Sequence, residues 1–336
     1  MKKKALALIM ALTAAAVLTA CGGNSGASDN KDTQAATSAQ SASGKELKFT
    51  TGGDQGTYYG FGSVLAGQVS GSTDSNVTAI TSGGSQANIE AMEIGDAQLG
   101  FVQSDVMAYA YEGTKTFEGA AVKDFSTVAS LYMEQVQIVT CNPEIKTVAD
   151  LKGKNVSIGA PGSGVYFNAI DILGAYGLTE KDINPTFESF GDSVESLQDG
   201  KIDAAFITAG VPTTAVTSLG TSKQIYLVGL DDEHIEKLIK ECPYYSKDVI
   251  AKDVYGTDAD TSTVAVGAVV VARDDVSEAD VYNFVSGIFD NTDKIKSAHA
   301  KGAELNLEFA GSVTAVPYHK GAAKYFQEKG IEVPVK

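Results

Sequence analysis

Three times along this chain a short apolar run ends in a glycine-rich turn, and a helix-like stretch follows. The turns are "TGGDQGTYYG" (51–60), "TSGGSQAN" (81–88) and "GAPGSGVYF" (159–167). A strand feeding a helix through a tight turn is half of a βαβ unit, so the repeated pattern restricts the fold to helices packed on largely parallel sheets. The same geometry aims backbone N–H groups and helix N-termini at whatever occupies the turns, and such a site holds anions without a charged side chain. A single turn of this kind is explained by chain reversal alone; three at strand-to-helix junctions point to a binding cleft.

The remaining elements fit the pattern. Strands are expected at "LKFTT", "NVTAIT" (76–81), "AQLGFV" (97–102) and "VQIVT" (136–140), with helices near 57–70, 85–93 and 104–111. A second block repeats the logic. Thr147 and Asp150 have capping-box spacing, "NVSIG" reads as a strand, and "GSGVYFNAIDILGAYG" reads as a helix stopped at Gly177. Strands at "PTFESF", "DAAFIT" and "QIYLVGL" alternate with helices at 191–199 and "PTTAVTSL". A late apolar strand, "TVAVGAVVVA" (263–272), precedes one long helix, "SEADVYNFVSGIFDNTDKIKSAHA", and a terminal helix, "HKGAAKYFQEKG". About 290 residues exceed a comfortable single core. We therefore expect two lobes: 46–140 and the return segment 263–336 as lobe 1, and 141–262 as lobe 2. The chain should cross near 139–142 and 261–265, with the ligand cleft between the lobes.

The N-terminus fixes the compartment. Lys2, Lys3 and Lys4 precede an uncharged stretch to Ala20, too short for a comfortable span and typical of a secretory signal peptide over residues 1–20. Leu18-Thr19-Ala20-Cys21 resembles the bacterial lipobox, which implies Cys21 as the lipidated first residue of the mature chain. Residues 22–44 contain no Leu, Ile, Val or aromatic residue and read as a tether, so 21–45 forms the lipidated, flexible connection to the membrane.

Composition removes several function classes. The net charge is −16, and −19 once the three leading lysines are set aside, which argues against nucleic acid and against a polybasic membrane contact. No Walker lysine motif, dinucleotide fingerprint or hydrolase elbow occurs, and no metal-ligand spacing stands out. Catalysis has no support, so the expectation is a protein that is not an enzyme and carries no cofactor or metal. Arg273 is the only arginine, so an arginine fork on a buried carboxylate is not expected; its place before Asp274 and Asp275 suits a surface ion pair. Of Tyr58 and Tyr59, about 100° apart on a helix, one should face the core and the other the cleft. Cys141 and Cys242 could pair or remain free thiols.

"TTGGDQGTYYGFGSVLA", "TSGGSQANIEAMEIGDAQLGFVQSDVMAYAYEG", "GAPGSGVYFNAIDIL" and "VPYHKGAAKYFQEKG" together resemble the TAXI family, the extracytoplasmic solute receptors of TRAP transporters. The resemblance spans about residues 46–330. It implies an α/β, two-lobed periplasmic-binding-protein-like fold of type II character, each lobe a sheet flanked by helices, closing on a small carboxylate or amino acid such as glutamate or glutamine. It implies delivery to the membrane permease subunits of a TRAP transporter from the extracytoplasmic face of the cell membrane. Carried over by position, the ligand-binding residues are Gly56, Thr57, Tyr58 and Tyr59; Ser82, Gly84, Ser85 and Asn88; Gln103, Ser104 and Asp105; Ser163 and Gly164; and Thr208 and Gly210. Asp105 could accept from an α-ammonium or simply favour its own helix start. Asp54 would disfavour an anion if it pointed inward. His319 reads as a helix-start residue. A sensory lipoprotein presenting the same ligand to a membrane receptor is the alternative.

Overall fold

The computed structural model describes residues 46–336. The signal peptide, the Cys21 lipidation site and the tether lie outside the described residues.

The first block runs β1 (Glu46–Thr50), α1 (Thr57–Ser72), β2 (Asn76–Ile80), α2 (Ser85–Glu93), β3 (Leu99–Gln103), α3 (Ser104–Glu112) and β4 (Phe125–Thr140). The second runs β5 (Asn155–Ser157), α4 (Val165–Ala175), β6 (Asn184–Thr186), α5 (Phe190–Gln198), β7 (Ala204–Ala209), α6 (Thr214–Ser222), β8 (Tyr226–Leu227), α7 (Asp232–Glu241) and β9 (Ser246–Ile250). The return segment contributes β10 (Thr261–Arg273), α8 (Glu278–Phe289), α9 (Thr292–Ala298), α10 (Leu307–Ala310) and α11 (Lys320–Glu328). This is an α/β fold of two lobes, with helices flanking a mixed sheet.

The strands form one ten-stranded sheet in the order β2-β1-β3-β10-β4-β7-β5-β6, with β8 on β4 and β9 on β10. Its outer pairs are parallel, as βαβ units require. Its centre is not: β10 is antiparallel to both β3 and β4, and β4 is antiparallel to β7. The expectation of parallel sheets therefore fails at the middle, and the cause is topological. The chain leaves lobe 1 on β4 and returns on β10, so the two crossing strands run in opposite directions.

Each crossing strand serves both cores. Leu131, Tyr132 and Ala268 pack into a lobe 1 cluster around Phe49, Phe61, Phe101 and Phe284. Val136, Ile138, Val264 and Val266 pack into a lobe 2 cluster with Val156, Ile172 and Phe206. The clusters part at Glu134 and Gly267, inside the strands and a few residues inward of the expected crossings. Phe167 of α4 is the exception, since it inserts into the lobe 1 side beside Tyr109 of α3.

Local signals mostly hold. Asp150 Oδ2 accepts from both the Thr147 N–H (2.8 Å) and the Thr147 hydroxyl (2.9 Å), although the element they start is a 3-10 turn. Gly177 has φ +72°, the left-handed stop expected after α4. The long late helix is instead two, α8 and α9, broken at Asp290–Asn291. β8 shrinks to two residues, and α7 and β9 were not foreseen. Cys141 and Cys242 are both free and half-buried.

Candidate binding site

Three helices begin at one place. The N-termini of α1, α2 and α4, preceded by Gly56, Gly84 and Gly164, line a cavity of about 70 Å3 between the lobes. Each water occupies roughly 10–15 Å3 on such a measure, so the space suits a small solute. None of these helices has a side-chain cap, so their first N–H groups are free of that competition.

Glycine is required where the lobes meet. Gly84 has φ +113° and lies against Ser163 of the opposite lobe, where a Cβ would come within 3.3 Å of the Ser163 Cα. Gly164 faces Gln103, and a Cβ there would collide with the Gln103 side chain. Direct bonds join the lobes around the cavity. Thr57 Oγ1 donates to the Gly210 carbonyl (2.9 Å), and the Ala87 N–H donates to the Gly162 carbonyl (2.9 Å). Behind the cavity Asn168 of α4 accepts from Gln103 Nε2 (2.7 Å) and Thr208 Oγ1 (2.8 Å), and donates to Asp105 Oδ2 (3.0 Å) and the Tyr245 hydroxyl (2.8 Å). The Lys115–Asp171 ion pair (2.8 Å) adds another bond from the α3 side to α4.

The floor of the cavity is Glu134, on β4 where the strand crosses between lobes. It is 2% exposed, and its Oε2 accepts from the Tyr58 hydroxyl at 2.8 Å. Burial pushes its carboxyl up to about 8, against the lowering effect of the Tyr58 hydroxyl. Ser163 Oγ is buried at the cavity wall and has no hydrogen-bond partner among the described residues.

Ten of the residues named from sequence line this cavity: Gly56, Thr57 and Tyr58 from the first turn, Ser82, Gly84 and Ser85 from the second, and Gln103, Ser163, Gly164 and Thr208. Five do not. Tyr59 is half-buried on α1, away from the cavity. The expectation that the two tyrosines divide the core and the cleft between them fails, because Tyr58 does both: its ring stacks on Phe101 at 4.6 Å while its hydroxyl reaches Glu134. Asn88 is wholly buried and donates to the Thr51 and Phe101 carbonyls, tying α2 to the sheet. Ser104 Oγ accepts from the Gly267 N–H (2.9 Å) at the crossing on β10. Asp105 is buried behind Gln103, its carboxyl pushed up to about 7 by burial. Gly210 lies off the cavity; its carbonyl receives the Thr57 bond that closes the rim and a second from Thr213 Oγ1 (3.1 Å).

Other expectations are settled as well. Asp54 is exposed and off the cavity. Arg273 pairs with Asp275 through Nε (2.9 Å) and Nη2 (2.8 Å). His319 caps α11, accepting the Gly321 N–H on Nδ1. Sequence reasoning missed Glu134, Asn168 and the second wall at Ser189 and Phe190. A lone carboxylate inside "LYMEQVQIV" was the available signal for Glu134. Among the described residues no group of three or more His, Cys, Asp or Glu side chains could hold a metal, and no helix is long and apolar enough to cross a membrane.

Residues 49–330 match the NMT1-like family along their whole length. The chain belongs to that family. The fold of this NMT1-like protein is shared with solved structures of low sequence identity. PhnD1 from Prochlorococcus marinus (MIT 9301), solved with methylphosphonate, is 14% identical, with 78% of this chain and 91% of that chain covered at a TM-score of 0.53. A protein described as a periplasmic transporter is also 14% identical, with 84% and 92% covered at a TM-score of 0.51. At such identities the likeness is one of fold.

Proposed function

We propose that this protein is a lipid-anchored extracytoplasmic receptor of a TAXI-type TRAP transporter, which captures a small carboxylate or amino acid between its lobes and presents it to membrane permease subunits. The observation that carries the binding half is the cavity itself: three helix N-termini and the hydroxyls of Ser85 and Ser163 converge on it, with no Lys, Arg or His in its lining among the described residues. Such a site holds a small oxyanion with oriented amides and hydroxyls. PhnD1, of similar fold, was solved with a small oxyanion, methylphosphonate. The transport half rests on the ordered motifs that resemble the TAXI family and on the lipobox at Cys21.

Capture works by closure. The lobes touch through Gly84–Ser163 and Gly164–Gln103. A solute that bridges them favours the closed state by its differential affinity for it. The test is a thermal-unfolding screen of protein unfolded and refolded to strip carried-over solute, against amino acids, dicarboxylates and other small organic acids. Saturation at 100 times Kd should stabilise by about 2.7 kcal/mol. A response confined to one compound class supports the proposal; no response across the panel contradicts it.

A further inference from the structure

Among the described residues Glu134 is the only carboxylate that lines the cavity, and no cation lines it with Glu134. A small carboxylate solute, the ligand class proposed above and on which this step rests, must therefore share the space with a second acid. We infer that Glu134 meets the solute as a neutral carboxylic acid and donates a hydrogen bond to one of its anionic oxygens.

Burial and the like charge of Asp105 favour that protonation state and outweigh the Tyr58 and Tyr132 hydroxyls and Lys301, which oppose it. Tyr58 of α1 donates to Oε2, the carbonyl-like oxygen of the neutral form. Among the described residues no protein hydrogen bond is made by Oε1. Tyr132, on the same strand, brings a second phenol whose hydroxyl, like that of Tyr58, works toward the charged form without outweighing burial. Asp105 of α3 adds a like charge. Lys301, on the turn after α9, pulls toward the charged form, but its Nζ pairs with Glu304 at 2.6 Å and lies 5.4 Å from the centre of the Tyr132 ring. Burial dominates all of these and places the carboxyl's titration near 8.

The solute's side of the contact agrees. Free amides at three helix starts and the unpartnered Ser163 hydroxyl offer hydrogen-bond donors but no whole positive charge. An ionised Glu134 would set two unpaired negative charges in one desolvated cavity. A protonated Glu134 adds a donor instead. Binding of an anionic solute then holds Glu134 protonated, so affinity stays level below about pH 8 and falls about tenfold per unit above it.

The experiment is calorimetric titration of the protein with glutarate, 2-oxoglutarate and L-glutamate from pH 6 to 9.5. The wild-type series needs no variant, and Glu134→Gln, a neutral isostere with its own donor, adds a second reading. Level affinity to about pH 8, an alkaline fall, and a Glu134→Gln affinity within about fivefold of wild type with the fall removed would support the inference. Affinity that rises through pH 8, or a loss of roughly 100-fold in Glu134→Gln as expected when one partner of a buried charge pair is removed, would overturn it. If none of the three solutes binds, the small-carboxylate proposal fails. Glu134 is then judged by carboxyl 13C titration: a midpoint above 7 upholds its neutral state, and one below 5 overturns it.

Discussion

The Tyr58 hydroxyl and Glu134 Oε2 lie 2.8 Å apart, which joins the first helix of lobe 1 to the strand that crosses into lobe 2. One hydrogen bond thereby links a helix N-terminus that lines the cavity to the crossing strand β4. Both groups are buried, so the bond is made in a medium where an unmade partner is costly.

Tyr58→Phe should lower the unfolding free energy by about 1–2 kcal/mol, because Glu134 loses its donor while the ring remains stacked on Phe101. Tyr58→Ala is a poorer probe than its turn position suggests. It removes an aromatic ring from the lobe 1 core and should cost about 3–5 kcal/mol. Denaturant unfolding of both variants checks this. Equal losses in the two would show that the hydroxyl, and not the ring, carries the stability.

Gly164→Ala should leave the fold intact and impair closure. Gly164 has φ −71° and ψ −20°, which alanine adopts without strain. The added methyl group meets Gln103 and comes within 3.0 Å of Ser85 Oγ, both across the cleft. We expect unchanged unfolding within about 0.5 kcal/mol and at least about tenfold weaker solute binding, equivalent to 1.4 kcal/mol. Small-angle scattering should show the variant more extended than wild type in the presence of solute. Full affinity in Gly164→Ala would mean that the lobes do not need this contact.

Legibility in the sequence divides along range. α2 falls on the expected residues 85–93, because its glycine turn and its apolar spacing are both local. The stop at Gly177 and the cap at His319 are local too. The first half of β4 was not read, since "FSTVASLYME" lacks a clean period and ends in a charge. That charge is the cavity floor. What makes Glu134 a site residue is Tyr58, 76 residues earlier, and no window of sequence contains both. Asn168 hides for the same reason: it reads as one polar position on an amphipathic helix, and its four partners come from β3, α3, β7 and the turn before β9. Asn88 and Ser104 show the converse. Their residue type and position suit ligand binding, but backbone groups of the sheet claim them first.

Asp105 gives a pH dependence with a definite sign. Its carboxyl is pushed up to about 7 in the folded protein from an ordinary value of 3.8, chiefly through burial. The stability it contributes is complete below about pH 4 and is lost as pH rises through 7, because the unfolded chain releases the proton first. Glu134 acts in the same sense, whereas His299 and His319, held low mainly by burial, act in the opposite one. The clean quantity is therefore the difference between wild type and Asp105→Asn. The stability of wild type relative to the variant should fall between pH 4 and 7, by at most about 1.4 kcal/mol per unit. Parallel curves for the two proteins would show that Asp105 is ionised in the fold throughout.

The most direct test of a solute held between the lobes is calorimetric titration of solute-stripped protein with the compound that stabilises it most, alongside Ser163→Ala. The Ser163 hydroxyl is buried at the cavity wall without a partner among the described residues, which is the observation behind its proposed contact with the solute. The account predicts one solute per chain and at least about tenfold weaker binding in the variant, the worth of one hydrogen bond to a charged group, with unfolding unchanged. Equal affinity in wild type and Ser163→Ala, or no saturable binding to either, would contradict it.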